Sequence, residues 1–231
     1  DKIDNIVATF SRGLIPTGSQ DPYALRRQTI GILNILLNSE WNISLRPIIV
    51  ESMNLLNVPA DKQDELLGQV EEFITLRLKN IFLDREVPHH VIDLLLSNTE
   101  LSVADAEGLV KALLANRIDE NVELVQAFTR MYNLVKDVTY TGVDESLLKE
   151  EAERALYEMA TKASEASIDA WDKNDYDAVV AVPATLVPAI NKFFEDVMVM
   201  DKDEAIKANR LQLVRLAYSV MAIIGDISAL K

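Results

Sequence analysis

A guanidinium, an amide and an ammonium group recur at intervals of three residues in Arg130, Asn133 and Lys136. At about 100° per residue on a helix, steps of three keep all three within an arc of about 120°. An amide donates and accepts at once, so it can read the edge of a base, and cations on either side can neutralise phosphates. The competing reading is an ordinary solvated face whose long stems lie on apolar surface. A second group, Lys207, Arg210 and Arg215, shares one side of a later helix with Tyr218. Arg210 can join the same surface as the first trio, or pair with an acidic neighbour in the fold. Arg26 and Arg27 make a third, smaller cluster.

Other chemistry finds less support. His89 and His90 are the only histidines. Adjacent residues point about 100° apart on a helix, so they cannot chelate one metal as an i, i+4 pair would. Asp93 is near both in sequence, but solvated residues of a first helical turn explain all three more simply. Glu71–Glu72, Glu150–Glu151 and Asp201–Asp203 are acid pairs with nothing in the sequence to desolvate them. They read as solvated helix faces and partners of helix N-termini. The stretch Gly13 to Gly18 lacks the lysine and the spacing of a phosphate-binding loop. The absence of cysteine excludes a thiolate nucleophile, a disulfide framework and a cysteine zinc site. No catalytic residue, metal ligand or cofactor site is expected in this chain.

The elements that must position these groups read as helices almost throughout. Apolar residues recur at helical spacing in 1–10, 22–38, 45–56, 62–83, 89–96, 103–116 and 122–135. Asp21-Pro22 pairs a capping residue with a proline at the first helical position. Ser44 caps the next helix, Pro59 breaks it, and Asp61 restarts the pattern. Ser102 and Asp105 have the spacing of a capping box, and Asp119 or Asn121 caps the helix that carries Arg130. Asp144 is expected to cap a helix running through Met159, and 169–177 to connect it to the next. Pro183 and Pro188 punctuate that helical region. Asp201, with Glu204 three residues on, reads as the cap of a last helix from Lys202 to about Ile224. Phe193, Phe194, Val197 and Met198 recur at i, i+1, i+4 and i+5, the spacing of a buried helix face, so all four are expected in the core. No run alternates long enough to commit to a sheet. The expected fold is all-α, with a boundary between helical blocks at 57–63.

At 231 residues the chain can bury a sizeable core. Seven glycines and seven prolines are few, which favours long helices over turn-rich β structure. The formal net charge of −14 repels polyanions at long range, so any nucleic acid must be met by a local basic patch. The chain starts without methionine and inside a helical pattern, and is expected to be the C-terminal part of a longer protein. No window of the sequence reads as long and apolar enough to span a bilayer. A reducing, cytoplasmic setting fits the absence of cysteine.

Two stretches carry a family resemblance. Phe193-Phe194-Glu195-Asp196-Val197-Met198-Val199 with Asn209-Arg210-Leu211, and Arg130-x-x-Asn133-Leu134-x-Lys136, resemble the helical anticodon-binding domain of arginyl-type and bacterial glycyl-tRNA synthetases. The segment from Gly13 to Arg27 is similar to one peculiar to the β subunit of the bacterial glycyl enzyme. Val135 and Lys207 are mild departures, where the family commonly has Ile and Arg. The Asp1-Lys2-Ile3-Asp4 start resembles the closing motif of an HD phosphohydrolase domain, but the histidines of that motif are not in this chain.

The resemblance implies an all-α, multi-helix array: 1–60 as the end of an HD-like domain, and 61–231 as the anticodon-binding bundle with its leading helices. It implies glycine tRNA as a partner, bound through Arg130, Asn133, Lys136 and Arg210, and a catalytic α subunit in a hetero-oligomer. ATP and Mg would be used by the full complex and no cofactor by this part. Three other functions stay open: the anticodon-binding domain of an arginyl-type synthetase, a metal phosphohydrolase remnant for which only Asp1 speaks, and a non-catalytic helical scaffold that docks proteins.

Overall fold

The computed structural model describes residues 1–18, 20–39 and 41–230. Ser19, part of the Gly13–Arg27 motif, lies outside the described residues. The described residues form ten α-helices: α1 (Lys2–Phe10), α2 (Leu25–Leu37), α3 (Leu45–Leu55), α4 (Ala60–Asp84), α5 (His89–Leu96), α6 (Val103–Asn116), α7 (Val122–Val135), α8 (Glu151–Asp172), α9 (Tyr176–Asp196) and α10 (Glu204–Ala222). Among them no strand occurs, only an isolated bridge between Thr17 and Gln20. The all-α expectation holds. Two compact units divide the chain, Asp1–Ile92 with Thr99–Glu107, and Asp93–Asn98 with the chain from Gly108 onward. Segment 57–63, which spans the end of the α3–α4 connection and the first turn of α4, lies inside the first unit.

In the first unit α1 packs against α2, α3 and α4. The core is built from Ile6, Val7, Phe10, Leu25, Leu33, Ile49, Met53, Val70 and Phe82, all buried. Phe10 meets Phe73 edge-on at 5.0 Å, and the Arg77 guanidinium covers the Phe73 ring at 3.7 Å. Asp21 acts as the cap expected of it, but from four residues back. Its carboxylate accepts from the amides of Leu25 (2.8 Å) and Arg26 (3.1 Å), because Ala24 enters the left-handed region at φ 54° and adds a turn before α2. Ser102 and Asp105 exchange the two hydrogen bonds of a capping box, each 3.0 Å.

The second unit is organised on α8 and α9, a helical hairpin with a short connection, narrower than the 169–177 expected. Helix α8 packs along α9, with Ala160 and Ala163 of α8 and Val179, Val180, Leu186 and Ile190 of α9 all buried. Helix α10 packs on α8 and α7, and α7 packs on α9. Helix α9 runs unbroken through Pro183 and Pro188, which were expected to punctuate it. It is also long and apolar enough, on length and composition, to cross a membrane, so the expectation that no window qualifies is corrected. Its buried residues, Val179 through Phe193, form part of the core of the unit.

Candidate nucleic-acid interface

Helix α7 begins where Asn121 accepts a hydrogen bond from the Leu124 amide at 3.1 Å. Leu124, Phe128, Met131 and Val135 turn one face inward and are buried. That rotation leaves Arg130, Asn133 and Lys136 exposed on the opposite arc, so the structure brings these three expected residues together. Lys136 is the first residue past the helix and keeps helical backbone angles, so the arc continues to it. The arc is anchored to the core at one end. The Arg130 guanidinium lies 3.9 Å from the centroid of the Phe194 ring. Phe194 in turn meets Phe193 edge-on at 5.3 Å, and Phe193 is fully buried. A stacked guanidinium keeps its in-plane N–H groups available, and the contact stabilises by about 0.5–1 kcal/mol at an exposed site.

Two of the four residues expected in the core depart from it. Phe193 and Val197 are buried, Phe194 is half-buried under Arg130, and Met198 is 74% exposed. The cause is local: α9 ends at Asp196 and Val197 is extended (φ −115°, ψ 124°), so helical spacing no longer governs Met198.

Arg210 lies elsewhere. Only 5% exposed, it donates from Nε to Glu153 Oε1 (2.5 Å) and from Nη1 to Asp201 Oδ2 (2.7 Å) and the Met198 carbonyl (2.9 Å). It does not reach the surface of α7; its geometry is that of an interior pair with acidic neighbours. Burial opposes the charge on Arg210, but the bonds to Glu153 and Asp201 outweigh it and raise its pKa. Asp201 is held below the usual aspartate range, chiefly by the Asp203 amide and further by Arg210. Glu153 Oε2 also accepts from the amides of Lys149 (2.6 Å) and Glu150 (2.7 Å), which closes the start of α8. The cap of α10 is Asp203 rather than Asp201, accepting from Ala205 (2.9 Å) and Ile206 (3.3 Å). The cap of α8 is likewise later than expected: Asp144 caps only the short 3-10 turn Glu145–Leu147, through Ser146.

The rest of the cationic side of α10 is also committed. Lys207 pairs with Glu204 at 3.0 Å, and Arg215 Nε donates to the Val138 carbonyl at 3.2 Å. Asn209 and Gln212 bond to the backbone of the segment that follows α7. Sequence reasoning missed this use of Asn209 and Gln212. The available signal was the spacing of Asn209, Gln212 and Arg215, three apart like the trio on α7. Elsewhere, Arg26 donates to the Gly18 carbonyl at 2.6 Å, and Glu71 pairs with Arg46 at 3.0 Å. Among the described residues no group of three or more His, Cys, Asp or Glu side chains is placed to hold a metal ion.

Comparison with known proteins gives two family matches. Residues 1–97 match the model of the glycyl-tRNA synthetase beta subunit, and residues 124–227, which include α7, match that of the DALR anticodon binding domain. Among curated relatives, the glycine–tRNA ligase beta subunit of Clostridioides difficile is 38% identical, over 99% of this chain and 33% of the relative. That of Desulforapulum autotrophicum is 35% identical over 99% and 34%, and that of Citrifermentans bemidjiense 37% over 100% and 34%. The chain thus spans about a third of the length of the relatives it matches. The chain is thus similar over nearly its whole length to one part of glycine–tRNA ligase beta subunits, and its residues 124–227 to the DALR anticodon binding domain.

Proposed function

We propose that the exposed arc of α7 is the surface with which this chain reads the anticodon loop of a glycine tRNA. The observation that carries the reading is the exposure of Arg130, Asn133 and Lys136 together, inside the stretch that matches an anticodon-binding domain. Unpaired loop bases are recognised on their edges by side chains while cations hold the phosphates. Asn133 supplies a paired donor and acceptor for one base edge. Arg130, flattened on Phe194, presents its N–H edge to a phosphate or a base. Lys136 is a point charge for a phosphate. Together they offset locally the repulsion expected from a net charge of −14. Arg210 has an indirect part in this reading, as the buried brace of the 198–201 loop.

The wider reading is that the chain serves the beta subunit of a glycine–tRNA ligase, in an enzyme that charges tRNA with glycine in the cytoplasm. In that enzyme a catalytic alpha subunit is the protein partner, and ATP and Mg are used by the complex rather than by this part. The N-terminal helices then close a domain similar to the HD phosphohydrolases, and the later ones form the anticodon-binding bundle. The match over 1–97 favours the glycyl over the arginyl-type assignment. A helical scaffold that only docks proteins would show no specific tRNA affinity. The test is tRNA binding by the chain across a series of salt concentrations. Lys136→Ala is expected to weaken all tRNAs alike and to lower the salt slope by about one ion. An unchanged slope and affinity would remove Lys136 from the interface.

A further inference from the structure

Beyond α7 the chain runs from Val138 to Asp144 along α10 and is held there by side chains of that helix. Arg215 donates to the Val138 carbonyl, 3.2 Å. Gln212 Nε2 donates to the Thr139 carbonyl (3.1 Å), and its Oε1 accepts from the Thr141 amide (2.8 Å). Asn209 accepts from the Asp144 amide (2.7 Å) and donates to the Asp144 carbonyl (2.9 Å). The Gln212 amide therefore grips the peptide groups on both sides of Tyr140, as the peptide of a neighbouring strand would. Tyr140 itself is 47% exposed. An apolar ring this open, on a backbone this tightly held, has already had its ordering cost met by the fold.

We infer that Tyr140 is a stacking platform for an unpaired base of the tRNA loop whose neighbouring phosphates and base edge engage α7. The inference rests on the reading of α7 given above. Three observations carry it beyond exposure. Tyr140 follows Lys136 by four residues, so their Cα atoms lie within about 15 Å, which keeps both within one short RNA loop. The segment carries no cation of its own and is flanked by Asp137, Asp144 and Glu145, so it is built to meet a neutral base rather than a phosphate. Two of those acids are turned to internal use: Asp144 accepts from the Ser146 amide (2.9 Å) and hydroxyl (2.7 Å), and Glu145 from the Tyr157 hydroxyl (3.3 Å). The aromatic face is thus left as the recognising group, and stacking tolerates any base because every base has a π-face.

The probe is an anticodon stem-loop RNA with a glycine anticodon, its loop nucleotides replaced one at a time by the fluorescent base 2-aminopurine. It is titrated with the full chain and with Tyr140→Ala, Tyr140→Phe, Lys136→Ala and Asn133→Ala, each checked for helix content and melting temperature. Tyr140→Ala is expected to weaken binding about 5- to 150-fold and to abolish the fluorescence change at one loop position. Tyr140→Phe keeps the ring and should bind within about twofold of the parent. Parent affinity and parent fluorescence at every position for Tyr140→Ala, with Lys136→Ala weakened, would overturn the stacking role and leave the α7 reading standing. A weakened Tyr140→Ala beside unaffected Lys136→Ala and Asn133→Ala would support the platform and overturn the α7 reading. A parent chain that does not bind the RNA would overturn both.

Discussion

Arg210→Met tests the interior pair that braces the second unit. It removes a nearly buried guanidinium and leaves Glu153, fully buried, without its counter-charge. Breaking a buried pair from one side costs about 3–5 kcal/mol, because the remaining charge stays desolvated. Glu153 Oε2 keeps its bonds from Lys149 and Glu150, so the remaining carboxylate cannot simply swing out to water without also uncapping α8. The Met198 carbonyl and Asp201 add little, since the loop is open enough for water to replace Arg210 there. For a chain of this length each kcal/mol moves the melting midpoint by about 2–4 °C, so a loss of about 6–20 °C is expected. Circular dichroism melts of the purified variants measure it. Glu153→Gln keeps an acceptor for the two amides while removing the charge, so the double variant Arg210→Met/Glu153→Gln should recover part of the loss. A single variant melting within about 4 °C of the parent, with no recovery in the double, would refute the argument.

Other outcomes follow from the same structure. Phe193→Ala should cost about 3–5 kcal/mol in a denaturant melt, whereas Phe194→Ala, only half-buried, should cost clearly less and should release Arg130; equal losses would contradict the burial difference. Gly225→Ala should destabilise by about 1–3 kcal/mol or more, since a Cβ there would lie 1.9 Å from the Leu94 carbonyl oxygen. Gly68→Ala, in the exposed middle of α4 with nothing within 4 Å, should instead stabilise by about 0.5–1 kcal/mol. Asp201 and Asp144 both titrate below their ordinary 3.8, Asp201 chiefly through the Asp203 amide and Asp144 chiefly through the Ser146 hydroxyl. Their ionised forms are favoured on folding, so this stabilisation is complete above the ordinary value and is lost as the pH falls below it through the lowered ones. The double variant Asp144→Asn/Asp201→Asn should therefore lose stability less steeply than the parent over that acid range; identical slopes would contradict the assignment.

Much of this was legible in the sequence because helices announce themselves locally. Asn121, Ser102 with Asp105, and the helix following Pro88 stand where capping and proline rules put them. The arc of Arg130, Asn133 and Lys136 was legible for the same reason, since rotation per residue alone decides which side chains share a face. What failed needed knowledge of where a helix stops or what lies across from it. Met198 was assigned by a period that ends two residues earlier, at Asp196. Asp201 and Asp203 compete for one cap, and only the bond from Arg210 shows why the first is occupied elsewhere. Pro183 and Pro188 interrupt hydrogen bonds but not α9, because packing on α8 holds the helix through them. The grips of Asn209 and Gln212 on a segment some 70 residues away are tertiary, and spacing in one helix could not name their target.

Base reading by α7 shows in discrimination between anticodons more directly than in affinity. The measurement is the ratio of dissociation constants for a tRNA with a glycine anticodon and the same tRNA altered in the anticodon, at one fixed salt concentration, for the parent and Asn133→Ala. Asn133→Ala is expected to weaken the cognate by about 1–3 kcal/mol and to affect the altered tRNA much less, so that the ratio collapses toward one. A parent-like ratio in the variant would contradict it and take base reading away from this helix.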